Sequence, residues 1–485
     1  MRPTAMRPTS PKRRGLPPLV LAVCYAALVA LPMLPSLISG TGHWQGAMRL
    51  ASGAGIAAAV MLLLQMVTSG RFEAISGRIG IDLTMAFHKW AAPIALLLVV
   101  VHLLALIGLP DPERPGRLAR RVDFLLTAPG FWEARLALVL LVILVILALL
   151  RERLSMRYQF WRAGHAVAAV ALVGAVVWHA VTAGSGGAAE RWIWIALALA
   201  VTVPAASVYA ARFLRPASHC WRLEKIRRVA ERLWLLEIVP AGEGRLSFEP
   251  GQFAWIAFGR KRLPLHDHPF SMASAPDEPG LRFLVQEAGD FTGRIGALER
   301  GIRVSVDAPH GSFVPRGQGP LILVAGGVGI APILAILSHL ARSGSDRTLR
   351  FLYAARSTAA MVPPALYQPA CDALGVVPVL VSDRPEDQQG PYGPLERGPV
   401  SAALLERAFA GLDPAACEVM ICGPGPMMTF VADSALQMGV PLHQISYERF
   451  SYAAGHASTK DRRVLRRFAA LWGAVLGLVL LYWRV

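Results

Sequence analysis

Acidic residues and cysteines are both scarce in this chain, and each scarcity excludes something. Asp and Glu number 32 against 49 Lys and Arg, leaving a net charge of +17. Charged residues of both signs make up only 17% of the chain, against 54% hydrophobic. That is too little charge to solvate a chain of this length from end to end. The basic excess is not interleaved with aromatics, so nucleic acid is not an expected partner. Beside long apolar runs it marks loops facing anionic lipid. The five cysteines (Cys24, Cys220, Cys371, Cys417, Cys422) show no paired spacing. This excludes a disulfide framework and the clustered thiolates of an iron–sulfur or zinc site, and suits a reducing compartment for the soluble part. No acidic loop of EF-hand pattern is present, which argues against calcium control through this chain.

What the chain has is apolar length. Candidate spans at 16–38, 47–67, 84–108, 132–150, 161–183 and 191–213 each approach the ~20 residues that a bilayer core needs. Arg2, Arg7, Lys12, Arg13 and Arg14 precede the first span. Arg71 and Arg78 follow the second, Arg151, Arg153 and Arg157 the fourth, and Arg212 and Arg215 the sixth. All fall on one side, which the positive-inside rule makes cytoplasmic. The other side has Arg49, a short turn near Gly184, and a loop from Pro110 to Gly130 whose four arginines are offset by Asp111, Glu113 and Asp123. A cleaved signal peptide is the rival reading of the first span, but no small-x-small cleavage site follows it. Phe468 to Val485, behind the basic run KDRRVLRR, reads as a seventh span or a monotopic anchor that tethers the soluble half.

Two of the spans carry histidine pairs with one spacing. His88 and His102 bracket HKWAAPIALLLVVVH, and His165 and His179 bracket HAVAAVALVGAVVWH. A step of 14 residues is roughly 21 Å of helix and about 40° short of four turns. Each pair therefore shares a helix face, with one histidine toward each leaflet. A lone membrane histidine often serves as a helix–helix hydrogen bond or a proton relay. Two matched pairs suit two stacked haems, each iron held by one histidine from either helix. Topology pairs His88 with His165 on the cytoplasmic side and His102 with His179 on the outer side.

From Trp221 to about Pro315 short β-rich runs (RLWLLEIV, QFAWIAF, LRFLVQE, RVSVDAP) alternate with turns, as in a small antiparallel barrel. From Leu321 the rhythm becomes strand, glycine loop, helix in LILVAGGVGIAPILAIL. Further buried-strand runs RFLYAAR, VVPVLVS and EVMICGP alternate with helical stretches, the pattern of a parallel α/β domain. A glycine loop between strand and helix lets backbone N–H groups approach a pyrophosphate.

Through the paired histidines, HPFS, GGVGIAP and CGPGPM, residues 45 to 450 resemble the NADPH-oxidase/ferric-reductase superfamily. The resemblance implies a multi-pass α-helical membrane bundle, an antiparallel β-barrel FAD domain and an α/β Rossmann-like nicotinamide-binding domain. The expected organisation is a basic segment at 1–15, a six-helix di-haem domain at 16–215, an FAD domain at 217–316, an NAD(P)H domain at 317–450 and a tail at 451–485. His268, Pro269, Phe270 and Ser271 resemble the family's flavin-binding strand, whose hydroxyl residue lies near flavin N5. Gly289 and Thr292 resemble the turn and helix start that receive the FAD pyrophosphate. Gly326, Gly327, Gly329 and Pro332 resemble the nicotinamide-dinucleotide loop. Cys422, Gly423 and Pro424 resemble the strand end that sets a cysteine by the nicotinamide ring. Phe450, with Tyr452 as its rival, resembles the aromatic that covers the flavin until nicotinamide displaces it.

Arg356, after the second strand of the α/β domain, could pair with a 2′-phosphate, which favours NADPH over NADH, or be a solvated surface arginine. The expected cofactors are two haems of b type, FAD and NADPH, with NADH possible. Three acceptors stay open: dioxygen giving superoxide, a ferric chelate, or a periplasmic redox protein. Arg49 could hold a haem propionate or draw in an anionic product, and it could equally be an interfacial arginine. The expected location is a bacterial-type inner or plasma membrane, with the N-terminus and the soluble half cytoplasmic.

Overall fold

The computed structural model describes residues 15–39, 46–69, 72–151, 153–154, 156, 158–183, 187–214, 220–242, 246–259, 266–384, 394–448 and 457–484. Outside them lie the basic residues up to Arg14, together with Arg71, Arg157, Gly184, Arg215, Phe450 and Tyr452. The chain divides into two units, residues 1–208 with 468–485, and residues 209–467.

The first unit is helical because its apolar runs lie in stretches long enough to satisfy their backbone internally. α1 (Pro18–Ala30) passes through a 3₁₀ turn at Leu31–Met33 into α2 (Leu34–Ser39). There follow α3 (Ala47–Leu64), α4 (Glu73–Ile79), α5 (Ile81–Ile107), α6 (Arg117–Thr127), α7 (Trp132–Leu149), α8 (Tyr158–Ala183) and α9 (Gly187–Leu214). Among the described residues, seven helical stretches are long and apolar enough to cross a membrane, the last at Thr459–Arg484. α3 is the most enclosed of them. Its small residues allow this: Ala51, Ala54, Ala57 and Ala58 are buried, and a Cβ at Gly53 would stand 2.9 Å from the Tyr482 ring. Close backbone approach is what holds helices together where no water drives them.

The loop read between Pro110 and Gly130 contains a helix, α6. Its Arg121 Nη1 donates to the carbonyls of Leu106 (3.3 Å) and Ile107 (3.0 Å), answering the bare C-terminus of α5. Local charge marked this stretch as a loop. Its short run of alternating faces becomes a helix once it has α5 to cap.

In the second unit, strands β1 (Cys220–Ala230), β2 (Leu233–Pro240), β3 (Phe253–Phe258), β4 (His268–Ser271), β5 (Leu281–Gln286) and β6 (Arg303–His310) form one antiparallel sheet. Its order is β4-β3-β6-β1-β2-β5, and a bridge between Met272 and Phe283 links its two ends, as a barrel requires.

The second sheet is parallel, in the order β10-β9-β8-β7-β11-β12. Its strands are β7 (Leu321–Gly326), β8 (Leu349–Ala355), β9 (Val379–Ser382), β10 (Leu395–Arg397), β11 (Glu418–Cys422) and β12 (Ile445–Glu448). The helices between them are α10 (Ile330–Arg342), α11 (Gln368–Ala373), α12 (Ala402–Phe409) and α13 (Gly425–Gln437). β7 and β11 are buried at every position, as strands covered on both faces must be. The strand order reverses between β7 and β11, so a ligand crevice opens at their C-terminal ends.

The joint between the two sheets is fastened by a buried acid. Glu418 accepts the backbone N–H groups of Arg316 (2.9 and 3.0 Å) and Gly317 (3.0 Å), and pairs with Arg347 at 2.8 Å.

The tail helix α14 (Thr459–Arg484) starts earlier than its apolar run, at a reciprocal cap. Ser458 Oγ accepts the Asp461 N–H at 3.1 Å, and Asp461 Oδ2 accepts the Ser458 N–H at 2.9 Å. Tyr447 on β12 donates to Asp461 at 2.5 Å. From Phe468 onward the helix belongs to the bundle, where Phe468 and Trp472 meet Phe87 of α5 at ring-centre distances of 5.1 and 5.8 Å.

Candidate functional site

The two histidine helices face each other at matching heights. His88 of α5 and His165 of α8 have ring centres 6.4 Å apart, with planes at 63°. Metal–imidazole bonds of about 2 Å on either side of one metal ion put ring centres about 6 Å apart. The pair has the spacing that a shared iron needs.

What touches the other nitrogen of each ring decides which one is free for metal. His102 Nδ1 lies 2.7 Å from the carbonyl of Ala51, so it carries the proton and Nε2 is left as the ligand. Gly55 makes that approach possible, since a Cβ there would stand 2.7 Å from His102 Nδ1. His88 Nδ1 lies 3.5 Å from Thr68 Oγ1, whose own proton goes to Gln65 Oε1 at 2.8 Å. Gln65 also donates to the His88 carbonyl at 3.0 Å.

His165 stacks on Trp161 at 5.1 Å, and its Nδ1 is buried with no hydrogen bond. His179 Nδ1 is also buried with none, and Glu133 Oε1 stands 3.6 Å away. Four inward imidazoles with unspent polar atoms are costly in an apolar bundle. They fit a metal-bearing group, and an all-imidazole donor set suits haem iron. Arg49 is half-buried, with its guanidinium 5.3 Å from the Tyr482 ring centre and its Nε without a hydrogen bond.

The second candidate site lies at the crevice of the parallel sheet. Ser271 Oγ donates to Glu448 Oε2 at 3.4 Å, across 177 positions of sequence. Cys422 is the register partner of Glu448, with its Sγ 3.7 Å from the Glu448 carbonyl oxygen. All three are buried. Ser271 and Cys422 are legible from their motifs; Glu448 belongs to none. Its one sequence signal is an acid closing the short mixed strand Ile445–Glu448.

The glycine loop owes its residues to close approach. A Cβ on Gly329 would stand 2.2 Å from the Cys422 carbonyl oxygen, and one on Gly423 would stand 2.9 Å from the Gly326 Cα. Gly327, at φ +54°, takes the left-handed backbone between them. Pro332 sits in the buried first turn of α10, and Pro424 caps the start of α13. Gly329→Ala should push β11 away from the loop. It is expected to weaken NADPH binding at least about tenfold, ~1.4 kcal/mol, with FAD content unchanged. Calorimetric titration with NADP⁺ checks this, and an unaltered affinity would refute it.

On the barrel, the His268 ring lies flat over Phe291 at 4.1 Å and 7°, which brings HPFS against the GDFT turn. Thr292 Oγ1 accepts the N–H groups of Ala288 (2.9 Å) and Gly289 (3.0 Å), closing that turn. Pro269 and Phe270 pair with Trp255 and Ala254 of β3. Arg356 is exposed just past β8. Phe450 and Tyr452 fall outside the described residues. Away from both sites, burial raises the Cys417 thiol and pushes that of Cys371 up to about 12, so both stay protonated and unreactive.

Three family models match the chain. Residues 54–176 match a ferric reductase like transmembrane component, 235–312 an FAD-binding domain and 323–433 an oxidoreductase NAD-binding domain. The reductase component of propane 2-monooxygenase from Mycolicibacterium goodii is 29% identical over 44% of this chain and 63% of its own. A flavohemoprotein from Deinococcus radiodurans is 32% identical over 27% of this chain and 34% of its own. The chain thus spans less than two thirds of either relative. The flavohem-like FAD/NAD binding domain of nitric oxide dioxygenase from Vibrio cholerae O1 biovar El Tor aligns at 22% identity and TM-score 0.42, over 48% of this chain and 98% of that one.

Proposed function

The chain belongs to the NADPH-oxidase/ferric-reductase superfamily, and on that premise we propose that it carries electrons from cytoplasmic NADPH through FAD and two bis-histidine haems to dioxygen on the outer side, releasing superoxide. It is an integral-membrane oxidoreductase that draws on NAD(P)H through FAD. The observation that carries the finer reading is the His88–His165 ring spacing of 6.4 Å between two helices with the same histidine step.

When bound, FAD accepts a hydride from the nicotinamide and gives up single electrons, which the haems relay across the bilayer. The protein's part is positioning. The glycines at the ends of β7 and β11 would admit the dinucleotide, and Ser271, Cys422 and Glu448 would line the place where the nicotinamide meets the flavin. Arg356 would pair with a 2′-phosphate. His88 with His165, and His102 with His179, would hold one iron each. Overall, one NADPH and two dioxygen molecules give NADP⁺, one proton and two superoxide ions.

Bis-histidine ligation would leave neither iron an open position, so an acceptor would have to be admitted by the protein around the outer pair. There the Phe131 ring stands 6.3 Å from His179 and 5.7 Å from Phe124. Two apolar rings beside the outer ligand favour a small uncharged acceptor over a charged chelate. Conversely, a redox-protein acceptor would need an exposed docking patch.

The test uses purified protein loaded with haem and FAD, given NADPH and then NADH, with and without a ferric chelate. Fast superoxide formation that dismutase intercepts supports the proposal. Chelate reduction that dismutase leaves untouched would make the protein a metalloreductase. Haems that reduce and pass electrons to neither would point to a protein acceptor.

A further inference from the structure

Glu133 is the acid of α7, the second residue of a helix that is otherwise apolar apart from Arg135. Arg135 is turned away to the carbonyls of Leu125 (3.1 Å) and Ala128 (2.9 Å). Glu133 is 2% exposed, and its Oε1 stands 3.6 Å from His179 Nδ1. A carboxyl group buried in a membrane span is costly unless it has something to do there.

The surroundings of the four histidines are unequal. At the His88–His165 end the second nitrogens meet a neutral hydroxyl at 3.5 Å and nothing. At the His102–His179 end they meet a backbone carbonyl at 2.7 Å and a carboxyl group at 3.6 Å.

We propose that Glu133 is a positioning residue for the outer haem: from 3.6 Å behind His179 Nδ1 its carboxyl group favours the Nδ1–H tautomer, leaves Nε2 as the atom for iron, and lowers that haem's reduction potential relative to the inner one. An acceptor on the second nitrogen makes an imidazole a stronger donor and favours the more oxidised metal. The outer haem, with a carbonyl and a carboxyl group behind its ligands, is then the more reducing of the two. That is the order which holds electrons back until an acceptor that can be reduced at low potential arrives. The inference rests on the bis-histidine reading, and the experiment separates the two.

Wild type, Glu133→Gln and Glu133→Asp are purified with haem, their haem is counted, and each is titrated potentiometrically by its haem absorbance. Two haems per wild-type chain and two titration steps are required first; a wild type without haem would sink the bis-histidine reading itself. The expected result is that Glu133→Gln raises one midpoint by about 59 mV, a tenfold change in the one-electron equilibrium, and leaves the other in place. Glu133→Asp should restore part of the difference. Loss of one haem alone in Glu133→Gln, recovered in Glu133→Asp, would also support the assignment. Two unmoved midpoints would overturn it, as would equal loss of both haems in the two variants, because Glu133 would then serve only helix packing.

Discussion

On the bis-histidine reading, His102→Leu is expected to leave one haem per chain in place of two. Electron delivery to any outer acceptor should fall by at least about a hundredfold, the upper end of what losing even an outer-shell partner costs. Leucine fills the helix face and keeps it apolar, so the bundle should survive. It offers no lone pair, however, and His179 alone cannot hold the group between α5 and α8. The variant also removes the hydrogen bond to Ala51, which a leucine side chain cannot replace. Reduction of FAD by NADPH should proceed at the wild-type rate, because Ser271, Cys422 and Glu448 are untouched. Haem counting by the pyridine haemochrome and stopped-flow flavin bleaching report the two halves separately. Two haems retained in the variant would remove His102 from the ligand set.

The second large effect belongs to the other site. Ser271→Ala should slow flavin reduction by NADPH about a hundredfold, the scale on which a small misplacement of reacting groups costs rate. FAD should stay bound, since the hydroxyl is one small contact among many. Ser271 is 3% exposed and its hydroxyl donates to Glu448 Oε2 at 3.4 Å. Glu448→Gln should give a smaller loss, about tenfold. A glutamine oxygen still accepts from Ser271, but an amide that cannot take up a proton replaces the carboxyl group. In both variants the limiting rate should fall while the NADPH concentration at half-saturation holds. Neither change touches the glycine loop of Gly326, Gly327 and Gly329. Wild-type flavin reduction in Ser271→Ala would take that residue out of the chemistry.

The histidine steps, HPFS and GGVGIAP were open to reading because each is short-range. A helix repeats every 3.6 residues whatever surrounds it, and a strand–glycine–helix turn has few sequences that can make it. The parallel sheet was legible for the same reason, from fully apolar runs alternating with helices. The Pro110–Gly130 stretch was not, because α6 gains its place by capping α5. The start of α14 lies at the local Ser458–Asp461 cap, ahead of the apolar run from Phe468 on which the span was read.

Taken alone, then, the sequence determined the elements, the candidate ligands and the two kinds of domain. Only the tertiary structure decided who stands behind them: Glu448 behind Ser271, Ala51 behind His102 and Glu133 beside His179. None of these partners has a periodicity or motif that announces it. The first two are set by close backbone approach, at the paired ends of β11 and β12 and at Gly55, and the third by the packing of α7 against α8.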